Sequence, residues 1–169
     1  MKFKSFLLIS IGILYIFINM FLIYFWDYVW QAKYEKKFPG LKKEAVWSTW
    51  VDVDNWNKWD EGTEFAKISG PFEAGTDFTL KPAGGPNISI QLTQVIPFVS
   101  FTDVTKFPLA KMYDIHELEE TKDGLKLKST IRMEGPLGWL WRKIVAEDVA
   151  AGASKQLEAI AKFSQDKQK

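Results

Sequence analysis

The chain has 169 residues, enough for one domain of ordinary size and a short additional segment. At 47% hydrophobic and 15% aromatic, with eight Trp, it supplies a packed core and is not a disordered chain. A net charge of +1 gives no global field to draw nucleic acid, and the absence of Cys excludes disulfides, thiolate chemistry and Cys-ligated metals.

The N-terminus carries an uncharged run, SFLLISIGILYIFINMFLIYFW, from Ser5 to Trp26, 22 residues in all. As a helix it would be about 33 Å long, against a bilayer hydrocarbon core of about 30 Å. The run is apolar on every side, unlike an interfacial amphipathic helix or a core helix with a polar stripe. Tyr24, Trp26, Tyr28 and Trp30 gather at its far end, where aromatic rings favour the membrane interface. A cleaved signal peptide would be shorter and would end in a small-residue cleavage site, which WDYVWQAK does not supply. The expectation is a single-pass membrane anchor within residues 1–27 and a soluble domain over residues 28–169. Lys33, Lys36, Lys37, Lys42 and Lys43 after the run outnumber Lys2 and Lys4 before it, which favours the cytoplasmic side for that domain.

Tyr28 to Phe38 reads as a first strand ended by Pro39-Gly40, and Leu41 to Val51 as a short helix with Leu41, Ala45, Val46 and Trp50 on one side. Asp52 to Asp60 is rich in Asp and Asn, which turn and cap, and reads as a second short helix or turn. The period then becomes two. Strands are predicted over 65–70, 76–81, 88–95, 99–106 and 111–119, separated by turns such as Gly84-Gly85-Pro86-Asn87. Lys122-Asp123-Gly124 predicts a type I′-like hairpin. Beyond it Leu125, Leu127, Ser129, Ile131 and Met133 alternate with Lys126, Lys128, Thr130, Arg132 and Glu134, one buried face and one solvated. Gly135-Pro136 stops that strand. From Leu137 to about Gln165 an apolar stripe runs through Trp141, Val145, Val149, Ala153, Leu157 and Ile160 at helical spacing. The fold class is therefore α+β, a curved antiparallel sheet wrapped around one long C-terminal helix.

Three segments carry a resemblance. They are AVWSTWVDVDNWNKWD (Ala45 to Asp60), GPFEAGTDFTLKP (Gly70 to Pro82), and the Asp123-Gly124 hairpin followed by GPLGWLWRKIVAEDV (Gly135 to Val149). In that order they resemble the SRPBCC superfamily of START-like, helix-grip proteins, and within it the polyketide cyclase/dehydrase-like branch. The Lys-rich first strand departs from the family's usual apolar start. The resemblance implies a deep pocket between sheet and C-terminal helix that binds apolar or amphipathic small molecules.

Strand parity lines that pocket with Phe78, Leu80, Ile90, Leu92, Phe101, Leu127, Ser129 and Ile131, plus Trp141, Val145 and Val149 from the helix. Ligand lining and plain core filling predict the same apolar pattern, so each position carries both readings. His116 is the one histidine. It shares a strand face with Met112, Asp114 and Leu118, and since neither face of that strand is cleanly apolar it reads as a partly exposed strand residue. Asp103 shares parity with Phe101, so it reads as an inward carboxylate with a raised pKa or, the preferred reading, as a solvated acid near a strand end. Trp47, Trp50, Trp56 and Trp59 either stack a planar ligand or pack the short helices on the sheet. No metal-binding spacing, phosphate loop, dinucleotide fingerprint or nucleophile elbow occurs, so neither a cofactor nor a catalytic residue is assigned. The expected function is a membrane-anchored binding protein for a hydrophobic small molecule or lipid, with no nucleic-acid partner. The alternatives are a polyketide cyclase- or dehydratase-type enzyme and a membrane module that binds a protein partner.

Overall fold

The computed structural model describes residues 11–20 and 26–168. Residues 11–20 are helical (α1), with every side chain exposed except that of Asn19, whose amide donates to Tyr15 O at 2.7 Å. The rest of the uncharged run before Trp26 lies outside the described residues. Among the described residues no helix is long and apolar enough to cross a membrane.

The domain begins with β1 (Val29–Phe38), α2 (Lys43–Trp50) and a 3₁₀ turn (Val53–Lys58). Six strands follow: β2 (Thr63–Ile68), β3 (Asp77–Pro82), β4 (Ile88–Ile96), β5 (Ser100–Phe107), β6 (Ala110–Thr121) and β7 (Gly124–Glu134). Together with β1 they form one seven-stranded antiparallel sheet in the order β1-β7-β6-β5-β4-β3-β2. The C-terminal helix consists of α3 (Gly138–Trp141), a π turn (Arg142–Ala146) and α4 (Glu147–Asp166).

The alternation in β7 is realised as read. Leu125, Leu127, Ser129, Ile131 and Met133 are buried, and the residues between them are half-buried on the other face. On that outer face Glu119 sits between Lys126 at 2.9 Å and Lys128 at 2.6 Å, whose hydrogen bonds hold its carboxyl down at about 2. The hairpin falls where predicted, but its turn differs. Lys122 and Asp123 have negative φ, and Gly124 alone supplies the left-handed conformation at φ +123°. An ideal Cβ there would lie 2.6 Å from Phe38 O, so only glycine lets β1 and the hairpin approach.

The concave face packs on the helix through two apolar clusters. One joins the four tryptophans of α2 and the 3₁₀ turn to Phe78, Leu92, Phe101, Leu127, Leu157 and Ile160. The other joins Ala110, Met112, Ile131 and Met133 to Ala146 and Ala150. The tryptophans thus pack the short helices onto the sheet. A buried Ser164 Oγ to Thr49 Oγ1 hydrogen bond of 3.1 Å fastens α4 to α2.

The helix stripe departs from the expected one at its N-terminal end. It runs through Ala146, Ala150, Ala153, Leu157 and Ile160, whereas Val149 is 37% exposed. The π turn is the reason. One extra residue per turn rotates the helix face, so Trp141 is succeeded on the sheet side by Ala146 as well as the half-buried Val145.

Candidate functional site

The inner face of the sheet is crossed by a polar belt between the two apolar clusters. Register sets it. Asp103 of β5 stands opposite Asp114 of β6, and His116 of β6 stands between Phe101 of β5 and Ser129 of β7. Asp103, Thr105, His116 and Ser129 are all buried. His116 Nε2 lies 3.3 Å from Asp114 Oδ1 and 4.0 Å from Asp103 Oδ2, and Ser129 Oγ donates to the same Asp114 oxygen at 3.2 Å. The imidazole is stacked on Phe101, with ring centroids 4.4 Å apart and planes inclined by 20°, and Trp50 flanks both rings, 5.7 Å from the imidazole and 5.2 Å from Phe101. Facing the belt the helix offers little bulk. Ala146 and Ala150 pack on one apolar cluster, Leu157 and Ile160 on the other, and the buried Ala153 stands between them in the stripe.

Electrostatics follow from this geometry. Burial pushes the Asp103 carboxyl up, the negative charge of Asp114 pushes it further, and the opposing pull of His116 leaves it at about 8. For His116, burial acts to lower the basicity, but the charge and close approach of Asp114 and the charge of Asp103 outweigh it, so the imidazole is raised above its ordinary value. At neutral pH Asp103 therefore keeps its proton, and His116 beside Asp114 holds its own more tightly than a free imidazole would. The cluster can both donate and accept protons within the apolar layer between sheet and helix.

Of the residues expected to line the pocket, Phe78, Ile90, Leu92, Phe101, Leu127, Ser129 and Ile131 are buried on this concave face. Leu80 is partly buried at its margin. Trp141 stacks on Phe107 at 4.7 Å, its indole donates to Pro108 O at 3.1 Å, and with Val145 it packs against the second cluster. Val149 is the outlier. The readings of His116 as partly exposed and Asp103 as solvated are overturned, and the inward alternative for Asp103 holds, because both lie on the buried face with side chains 9% and 10% exposed. The signal that finds them is the β6–β7 register. Counting back from Thr121 opposite Gly124 sets His116 against Ser129, so the clean alternation of β7 decides which face of β6 is buried. Among the described residues no group of acidic or histidine side chains is arranged to hold a metal ion.

An antiparallel sheet gripping a long C-terminal helix defines the class, a helix-grip fold. No family model matches the sequence, and no curated protein matches it either. Solved structures do. Ara h 8.0201 is 18% identical with a TM-score of 0.63, over 82% of this chain and 99% of that one. Norcoclaurine synthase from Thalictrum flavum, solved with dopamine and hydroxybenzaldehyde, is 14% identical with a TM-score of 0.64, over 83% and 88%. The di-domain ARO/CYC StfQ from the steffimycin biosynthetic pathway is 11% identical with a TM-score of 0.67, over 83% of this chain and 52% of that one.

Proposed function

We propose that the domain holds a hydrophobic small molecule or lipid carrying one polar group between its sheet and α4, and that the uncharged run before Trp26 tethers it to a membrane. The observation that carries the reading is the polar belt buried between two apolar clusters. Burying two carboxylates and an imidazole costs several kcal/mol that an apolar core would not spend, and such groups persist where a site needs them. Protonated Asp103 and His116 supply donors, and Asp114 an acceptor, to a polar group of the ligand, while Leu92, Phe101, Leu127 and Ile131 surround its apolar body. These side chains are closed against the helix, so a ligand enters by displacing them or by lifting α4 over its small residues. Support for the tether comes from the run itself, uncharged and of spanning length, and from the exposed apolar side chains of residues 11–20. A tethered domain meets a membrane-soluble ligand at high local concentration.

A second reading is favoured by the same belt. Three titratable groups converging in a low-dielectric layer suit proton transfer, as a cyclase or dehydratase acting on a polyketide-like substrate requires. Norcoclaurine synthase and StfQ show that the fold accommodates enzymes.

Native mass spectrometry of the full-length protein, extracted in mild detergent, tests the binding reading. A co-purifying small molecule, released on unfolding, is the expected result. A protein with no bound molecule that also takes up no hydrophobic probe overturns it. The enzymatic reading requires Asp103→Asn and His116→Gln to abolish turnover while binding persists.

A further inference from the structure

Three segments meet at the end of the sheet nearest Trp26. Gly135 N donates to Tyr28 O at 3.1 Å, Leu137 N donates to Leu109 O at 3.0 Å, and Trp141 Nε1 donates to Pro108 O. They frame an open groove of about 750 Å³ whose walls include Trp26, Val29, Leu109, Lys106, Lys111 and Arg132. Its carboxylates are Asp27 and Glu134, and Glu134 is taken by Arg132 at 2.8 Å. Among the described residues neither Lys106 nor Lys111 pairs with a carboxylate; Lys106 donates to Gln91 at 3.3 Å. The Nε of Arg132 is buried and has no hydrogen-bond partner among the described residues.

Leu109 sits at the tip of the two-residue β5–β6 turn with φ +54°, a left-handed conformation that favours Gly or Asn. Its carbonyl serves Leu137, but its side chain is 57% exposed. A bulky apolar residue held strained and in solvent at a turn tip is the kind of outlier from which a function is inferred. Trp26 and Val29, 65% and 52% exposed, stand at the same end.

We propose that this end of the domain docks on an anionic bilayer, with Trp26 and the Pro108–Leu109 tip entering the interface and a lipid headgroup seated among Lys106, Lys111 and Arg132. The inference rests on the tethering part of the proposed function. The occupant follows from chain continuity. Only Asp27 and Tyr28 separate the end of the uncharged run from β1, a contour of about 7 Å, so an inserted run holds this face, and no other, against the lipid. Exposed tryptophan favours the interfacial depth, and unpaired lysines draw anionic headgroups.

The absence of cysteine makes the test direct, since Leu109→Cys and Asp123→Cys each carry a single thiol for a polarity-sensitive fluorophore. Asp123 lies at the opposite end of β6. Each full-length variant is reconstituted into phosphatidylcholine vesicles with or without phosphatidylglycerol and recovered by flotation; Val29→Cys serves if Leu109→Cys fails to fold. The expected result is a blue shift at position 109 and quenching by brominated acyl chains, stronger with phosphatidylglycerol, and no such change at position 123. Lys106→Glu with Lys111→Glu should reduce the quenching to its level in phosphatidylcholine alone. A floated protein whose label at 109 stays as aqueous as that at 123 overturns docking and leaves the tether standing. Shielding without lipid quenching marks a protein partner and also overturns it. Quenching indifferent to both phosphatidylglycerol and the lysine substitutions removes the headgroup site, and a protein that does not float removes tether and docking together.

Discussion

His116 Nε2 lies 3.3 Å from Asp114 Oδ1, deep on the concave face of the sheet, with the imidazole flat on Phe101. Asp103 stands directly across the strand pair from Asp114, so two carboxylates, one buried and one partly buried, share one imidazole. Burial first, and then repulsion from the Asp114 charge opposite, keep Asp103 protonated.

Stability should therefore fall as pH rises. Between its ordinary value of 3.8 and about 8, Asp103 keeps a proton in the folded protein that the unfolded chain has lost, so its stabilising contribution is complete below that window and gone above it. His116, raised above 6.5, acts in the same direction, its contribution present below 6.5 and lost as pH passes its raised value. Urea unfolding should show stability declining from about pH 4 to about pH 8, by several kcal/mol. Asp103→Asn should flatten much of it. An unchanged profile in the variant would remove Asp103 from the account.

His116→Phe keeps an aromatic ring on Phe101 but leaves the carboxylates without their cation. A loss of about 3–5 kcal/mol is expected near pH 6, since removing one partner of a buried pair strands the other charge. Combining it with Asp114→Asn should recover part of the loss. A double-mutant cycle in urea measures the coupling, and strict additivity would mean that the two side chains do not interact.

Ala153→Phe places a ring in the helix stripe between the two apolar clusters. Overpacking should cost about 1–3 kcal/mol, and the proposed ligand should no longer be retained in native mass spectra of a protein that keeps its circular dichroism. Undiminished occupancy would move the ligand elsewhere.

Two glycines predict opposite outcomes. Gly135 has φ +110°, and a Cβ there would meet Leu109 O at 2.7 Å, so Gly135→Ala should lower stability by about 1–3 kcal/mol. Gly152, exposed within α4, has open space around its Cβ position, and Gly152→Ala should raise stability by about 0.5–1 kcal/mol. Melting temperatures of the pair check both signs at once.

Much of this molecule is written locally. Strict alternation in β7 assigned its buried face, the change of period after Asp60 separated helices from strands, and the spacing of Ala153, Leu157 and Ile160 laid the C-terminal helix on the sheet. Those features follow from side-chain direction along a single element, which sequence spacing determines directly. The hairpin at Lys122-Asp123 was equally legible, while its turn type was not, because Gly124 takes up the positive φ after the turn. The stripe at the start of the helix was misread at Val149, since a π turn leaves no periodic trace in the sequence.

Tertiary structure alone decided the site. Along β6 both faces carry polar residues, so alternation gives parity but not direction, and His116 and Asp114 could be assigned only by the strands on either side. Asp103 shares the buried face of β5 with Phe101, but its register against Asp114, which brings the two carboxylates together, is a pairing that neither strand encodes by itself. The sequence by itself determined a sheet gripping a helix. The polar belt inside that grip exists because long-range register set an imidazole and two carboxylates on one face and the helix then covered them.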